Sequence, residues 1–150
     1  MLIIGVGNPL RGDDGVGPEI IKRLGKKRLS PGVKLLDGGT DGLALIDVIK
    51  DYEGKIILAD AVDMGKKPGE IRVFKEKDVK IFIKNDSLST HGFGLGESME
   101  LMNKLGVYPD LTIIGIQVMD ISFHEGFSPE IEEKLEEVME IIEEYISCPF

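Results

Sequence analysis

Residues 2–18 read Leu2-Ile3-Ile4-Gly5-Val6-Gly7-Asn8-Pro9-Leu10-Arg11-Gly12-Asp13-Asp14-Gly15-Val16-Gly17-Pro18. The apolar run Leu2–Val6 suits a buried strand. A loop rich in Gly and Asp follows, from Gly7 to Gly17. Pro18 then fits the first turn of a helix, where its missing N–H leaves no bond unmade. Ile20, Ile21 and Leu24 give that helix an apolar side. A buried strand, a glycine-rich loop and an amphipathic helix, in that order, are the opening of an α/β fold.

The rest of the chain repeats the alternation. Strands are predicted at Val33–Leu36, Lys55–Ala59, Gly69–Phe74 and Leu111–Ile116. Leu43, Ile46, Val48 and Ile49 mark a second helix, and Leu95, Met99, Met102 and Leu105 a third. A last helix opens at Ser128-Pro129, an N-cap and first-turn pair, with Ile131, Leu135, Val138, Ile142 and Tyr145 inward. The connector Ala61–Pro68 is too short for a helical crossover, so the fourth strand is expected to run antiparallel. The expected fold is a three-layer α/β/α sandwich around a five-stranded, mostly parallel sheet with one antiparallel strand. Ligands in such sheets bind beyond the C-terminal strand ends, where connections leave in opposite directions. Gly7–Gly17, Asp37–Asp41 and Asp60–Gly65 are the segments placed there.

Composition narrows the functional classes. With 150 residues the chain suits one domain, residues 1–150, and 42% hydrophobic residues suffice for a core. The balance of 18 basic against 27 acidic side chains, a net −9, repels phosphate backbones, so no nucleic-acid partner is expected. Cys148 is the single cysteine, which excludes an internal disulfide and a CxxC metal site. The start of the chain reads as a strand rather than a signal peptide, and no apolar run reaches membrane-span length. A cytoplasmic monomer without membrane contact is the expectation.

The first loop invites comparison with the dinucleotide fingerprint G-x-G-x-x-G. It fails at Leu10, and Asp13 and Asp14 stand where a pyrophosphate needs positive dipoles. Asp37 could imitate a ribose-binding acid, so a nucleotide-binding enzyme stays as a distant alternative. Asp13 or Asp14 is expected to cap the following helix. Asp60, at a strand end, and His91 each have an ordinary reading as local hydrogen-bonding residues. Together Asp14, Asp60 and His91 offer two hard oxygens and one borderline nitrogen, a set suited to nickel, zinc, iron or manganese. His124-Glu125 is a rival pair, better placed in the loop before the last helix. H-E-x-x-H, G-x-S-x-G and a Cys–His pair are absent.

The order of motifs resembles the hydrogenase maturation endopeptidases, nickel-directed proteases that trim the large subunit of [NiFe] hydrogenases. The resemblance spans essentially the whole chain. It runs from Gly5-x-Gly7-Asn8-x-Leu10-x-x-Asp13-Asp14-Gly15-x-Gly17 through Asp37-Gly38-Gly39-Thr40, Ala59-Asp60-Ala61 and Ser89-x-His91 to Gly126-Phe127-Ser128-Pro129. Two departures are small: Asp14 stands where the family often has Glu, and Phe127 where Leu is more usual. Residues 75–90 match poorly. The resemblance implies a five-stranded mixed sheet between helices, phosphorylase/hydrolase-like in plan. It carries the metal-facing, catalytic roles to Asp14, Asp60 and His91, and substrate binding to Asp37, Gly38 and Gly39. It further implies a metal-dependent endopeptidase that removes a C-terminal extension from the nickel-loaded large-subunit precursor. The nickel comes with the substrate, and no organic cofactor is expected. A non-proteolytic nickel-sensing maturation chaperone would use the same residues.

Overall fold

The computed structural model describes residues 1–79 and 95–148. Five strands and five helices occur among them: β1 (Leu2–Val6), α1 (Val16–Leu24), β2 (Lys34–Gly39), α2 (Gly42–Lys50), β3 (Ile56–Val62), β4 (Ile71–Lys75), α3 (Leu95–Lys104), β5 (Leu111–Gln117), α4 (Pro129–Glu132) and α5 (Leu135–Ser147). Short 3-10 turns lie at Gly12–Gly15 and Glu76–Asp78.

The strands form one sheet in the order β2-β1-β3-β5-β4. All pairs are parallel except β4 with β5. The reversed fourth strand expected from its short connector is therefore observed. Period-two alternation sends the strands' side chains into two cores. Leu2, Ile4, Ile56, Leu58, Leu111 and Ile113 pack with Leu45, Ile46 and Ile49 of α2 and Met99 and Met102 of α3. Ile3, Ile57, Ala59, Ile114 and Ile116 pack with Val16, Ile20 and Leu24 of α1, Ile131 of α4 and four residues of α5, Leu135, Val138, Met139 and Ile142. Helices thus cover both faces, the expected sandwich. Each of these large aliphatic side chains contributes about 1.5–3 kcal/mol by leaving water.

Several boundaries differ from the sequence reading. β3 continues through Asp60 to Val62, so Asp60 lies inside the strand rather than after it. β2 extends to Gly39, with an extra residue against β1 between the pairs Gly5↔Asp37 and Val6↔Gly39. The last helix is two pieces, and the phase set by Leu135 carries the apolar stripe to Ile146 rather than Tyr145. Tyr145 and Leu105 are accordingly exposed.

The connection from β1 leads outward to β2, whereas the connections from β3 lead toward β5 and β4. The topological switch point therefore falls between the C-terminal ends of β1 and β3. No helix among the described residues is long and apolar enough to cross a membrane.

Candidate active site

Glycine sets the shape of the first loop. α1 begins almost on top of the sheet: a Cβ on Gly17 would stand 2.3 Å from the Val6 carbonyl oxygen and 2.7 Å from that of Ala59. Gly7 has φ +143°, and a Cβ there would meet the Asp14 carbonyl oxygen at 1.8 Å. The loop can turn this tightly only because both positions lack a side chain. It thereby folds the Gly12–Gly15 turn back against β3.

Asp60 pairs with Val6 of β1 on one side and Gly115 of β5 on the other. It lies at the switch point, with a relative exposure of 9%, and Asp14 in the adjoining turn has 7%. Burial pushes the Asp60 carboxyl well above the usual carboxylate range, and the nearby Asp14 charge pushes it further; the Ala61 backbone N–H opposes both. Asp14 Oδ2 accepts a 3.0 Å hydrogen bond from the Asn8 backbone N–H. Two shielded carboxylates side by side repel each other unless a proton or a cation joins them.

The structure thus brings Asp14 and Asp60 together. His91 lies outside the described residues. Asp37, Gly38 and Gly39 close β2 at the same edge of the sheet, one strand beyond β1. Asp37 is exposed, and its Oδ1 accepts the Gly39 N–H at 3.0 Å. His124 sits in the loop before α4, as the sequence suggests. Its Nε2 is 3.2 Å from Asp120 Oδ2, and the Glu125 carbonyl and the Asp120 carboxylate raise its pKa.

The expected helix cap is not found. Gly15 holds the N-cap position of α1, with no side-chain hydrogen bond. Asp13 instead is fully buried and reaches across the molecule. Its Oδ2 accepts the N–H groups of Met119 and Asp120, each at 2.9 Å, and the Ser128 hydroxyl at 2.9 Å; its Oδ1 accepts the Ser128 N–H at 2.7 Å. The Ser128 side chain therefore serves Asp13 rather than capping α4. Gln117 is a second anchor that the sequence reading missed. Its Oε1 accepts the N–H groups of Met64 at 2.7 Å and Lys66 at 3.1 Å, and its Nε2 donates to Asp63 Oδ1 at 3.0 Å. A lone amide ending the otherwise apolar strand Leu111–Gln117 was the available signal. Two buried carboxylates at the start of α1 also disfavour a phosphate there, and with it the nucleotide-binding alternative.

The sequence profile of the family described as HycI, hydrogenase maturation protease, matches residues 18–145. The chain belongs to this family. HupD of Thiocapsa roseopersicina, a hydrogenase expression/formation protein, is 33% identical over 98% of the chain and 67% of its own length. The hydrogenase 2 maturation protease of Escherichia coli K12 is 30% identical, over 93% of the chain and 86% of its own length. The solved structure of the hydrogenase maturating endopeptidase HybD from E. coli superposes with a TM-score of 0.83 at 29% identity, covering 97% of this chain and 91% of that one. The chain spans 60% of the length of two other curated relatives, the HupD proteins of Rhizobium leguminosarum bv. viciae and Rhodobacter capsulatus. This member of the hydrogenase maturation protease family shares its five-stranded mixed sheet with HybD, and Asp14 and Asp60 lie at the switch point of that sheet.

Proposed function

We propose that the chain is an endopeptidase that removes a C-terminal extension from the nickel-loaded large-subunit precursor of a [NiFe] hydrogenase. Asp14, Asp60 and His91 engage the nickel, which belongs to the substrate. The observation that carries this reading is the pairing of Asp14 with Asp60 at the switch point of a hydrogenase maturation protease fold. A buried carboxylate pair of this kind is relieved by a divalent cation, and the precursor supplies one. The likeness to a maturation protease and to an endopeptidase of E. coli supports the proteolytic half of the reading.

The roles divide simply. Asp14 and Asp60 hold the precursor's metal, and His91, in its neutral form, adds the nitrogen ligand. A metal held by these residues would supply Lewis-acid polarisation of the scissile carbonyl and a more acidic bound water. Asp37, Gly38 and Gly39 line the route of the polypeptide from the β2 side. The enzyme keeps no organic cofactor, works as a monomer in the cytoplasm and depends on the substrate's nickel.

The test is a processing assay with nickel-loaded and nickel-free precursor, read by intact mass. Loss of the C-terminal extension only from the loaded form is the expected result. Equal cleavage of both forms would end the nickel-recognition account. Binding without any mass change would instead favour a non-proteolytic chaperone.

A further inference from the structure

Asp13 and Asp14 are adjacent in sequence but divide two tasks. Asp14 belongs to the carboxylate pair. Asp13 accepts four hydrogen bonds from donors 106–115 residues further along the chain. The turn that carries both is only four residues long, and no side chain caps it. A 3-10 turn of that length has little stability of its own.

Its support comes from the segment leaving β5. The Gly12 N–H donates to the His124 carbonyl at 2.8 Å, and the Asp13 N–H to the Asp120 carbonyl at 2.9 Å. Arg11 Nε donates to the Ile121 carbonyl at 3.1 Å, and its guanidinium lies 4.9 Å from the centre of the Phe123 ring. That segment is itself tied to β3, since the Val118 N–H donates to the Val62 carbonyl at 3.1 Å. Val62 is two residues beyond Asp60. A closed circuit therefore runs from Asp14 through Asp13, Met119 and Asp120 to Val118, Val62 and back to Asp60.

We infer that Asp13 is a positioning residue: its carboxylate clamps the Asp14 turn to the β5 exit and so sets Asp14 against Asp60. The charge state is part of the design. Every listener around Asp13 is a donor, three backbone N–H groups and one hydroxyl. An Asn at this position turns one acceptor into a donor, so whichever way its amide points, at least one backbone N–H loses its partner and meets another donor. Asn is therefore a near-isosteric test of the clamp.

The consequence for cleavage rests on the proposed function, so two readouts are needed. The first is turnover of nickel-loaded precursor by the full-length protein. The second is amide hydrogen exchange at Asn8, whose N–H donates to Asp14 Oδ2 rather than to Asp13. In Asp13→Asn, kcat is expected to fall at least about tenfold with KM changed by less than about threefold, as for a misplaced catalytic group. Exchange at Asn8 is expected to quicken at least about tenfold, while Leu58 in β3 keeps its protection. Ser128→Ala removes only the hydroxyl bond, and an increase of about two- to threefold at Asn8 is expected. It serves as the second variant if Asp13→Asn does not fold.

Wild-type kcat together with wild-type exchange at Asn8 would overturn the clamp. So would exchange that rises by the same factor at Asn8 and Leu58, because that reports general loosening. A wild-type protein that fails to cut the precursor would overturn the proposed function, and the Asn8 readout would still decide the clamp.

Discussion

Two carboxylates withdrawn from water, Asp13 and Asp60, live in opposite surroundings. Asp13 is ringed by four donors, and its negative charge is answered on every side. Asp60 has the Ala61 N–H and, close by, the like charge of Asp14. The first arrangement stabilises the fold. The second works against it, and a protein keeps such a group where something else is to be bound. Burial alone would have made the two look alike; what separates the satisfied carboxylate from the perturbed one is the chemistry of the atoms facing it.

Four measurements would break or sharpen this contrast. The largest effect is expected from Asp60→Asn in the precursor-processing assay, with activity falling more than about 100-fold, beyond the loss typical for a residue that merely supports a ligand. Retention of most activity would remove Asp60 from the site. Next comes Asp13→Ala, which strands buried backbone N–H groups. A loss of about 3–5 kcal/mol is expected in urea denaturation, and a loss below about 1 kcal/mol would deny the clamp its structural weight.

The third effect has the opposite sign. Because the Asp60 pKa is raised in the folded state, the folded protein holds this proton where the unfolded chain has released it. Below the ordinary carboxylate value of 3.8 the group carries no penalty. As pH rises above that value the unfolded chain ionises first, and stability falls until the folded group also ionises. Asp60→Asn should therefore melt roughly 2–6 °C above wild type at neutral pH, with the gap closing toward pH 4. A variant melting below wild type at pH 7 would contradict the picture of a carboxyl whose ionisation is opposed by burial and by Asp14. The smallest effect, about 1 kcal/mol, is expected for Ser128→Ala, which keeps three of the four bonds to Asp13.

The fold was legible because its signals are local. Unbroken apolar runs such as Leu111–Ile116 mark central parallel strands, and the short connector before β4 dictates its direction. Asp14 and Asp60 were legible as neighbours by a rule of position, since the loop after β1 and the C-terminal half of β3 meet at the switch point of the sheet. The clamp was not. The partners of Asp13 lie more than a hundred residues away, and nothing local separates a carboxylate that caps a helix from one that crosses the molecule. Tyr145 was misread for a smaller reason. Ile131, Leu135, Val138 and Ile142 keep the expected inward stripe across the break between α4 and α5, and only in the last turn does Ile146 rather than Tyr145 continue it.

The parallel order β1-β3-β5 has a kinetic corollary. Each of these strands pairs with a partner distant in sequence, and the Asp13 bonds close loops of 106–115 residues. Long-range closure is slow and rewards the chain only late. Where such bonds form after the folding barrier, their loss quickens unfolding more than it delays folding. The setting of Asp14 against Asp60 thus depends on contacts that only the nearly complete fold can close.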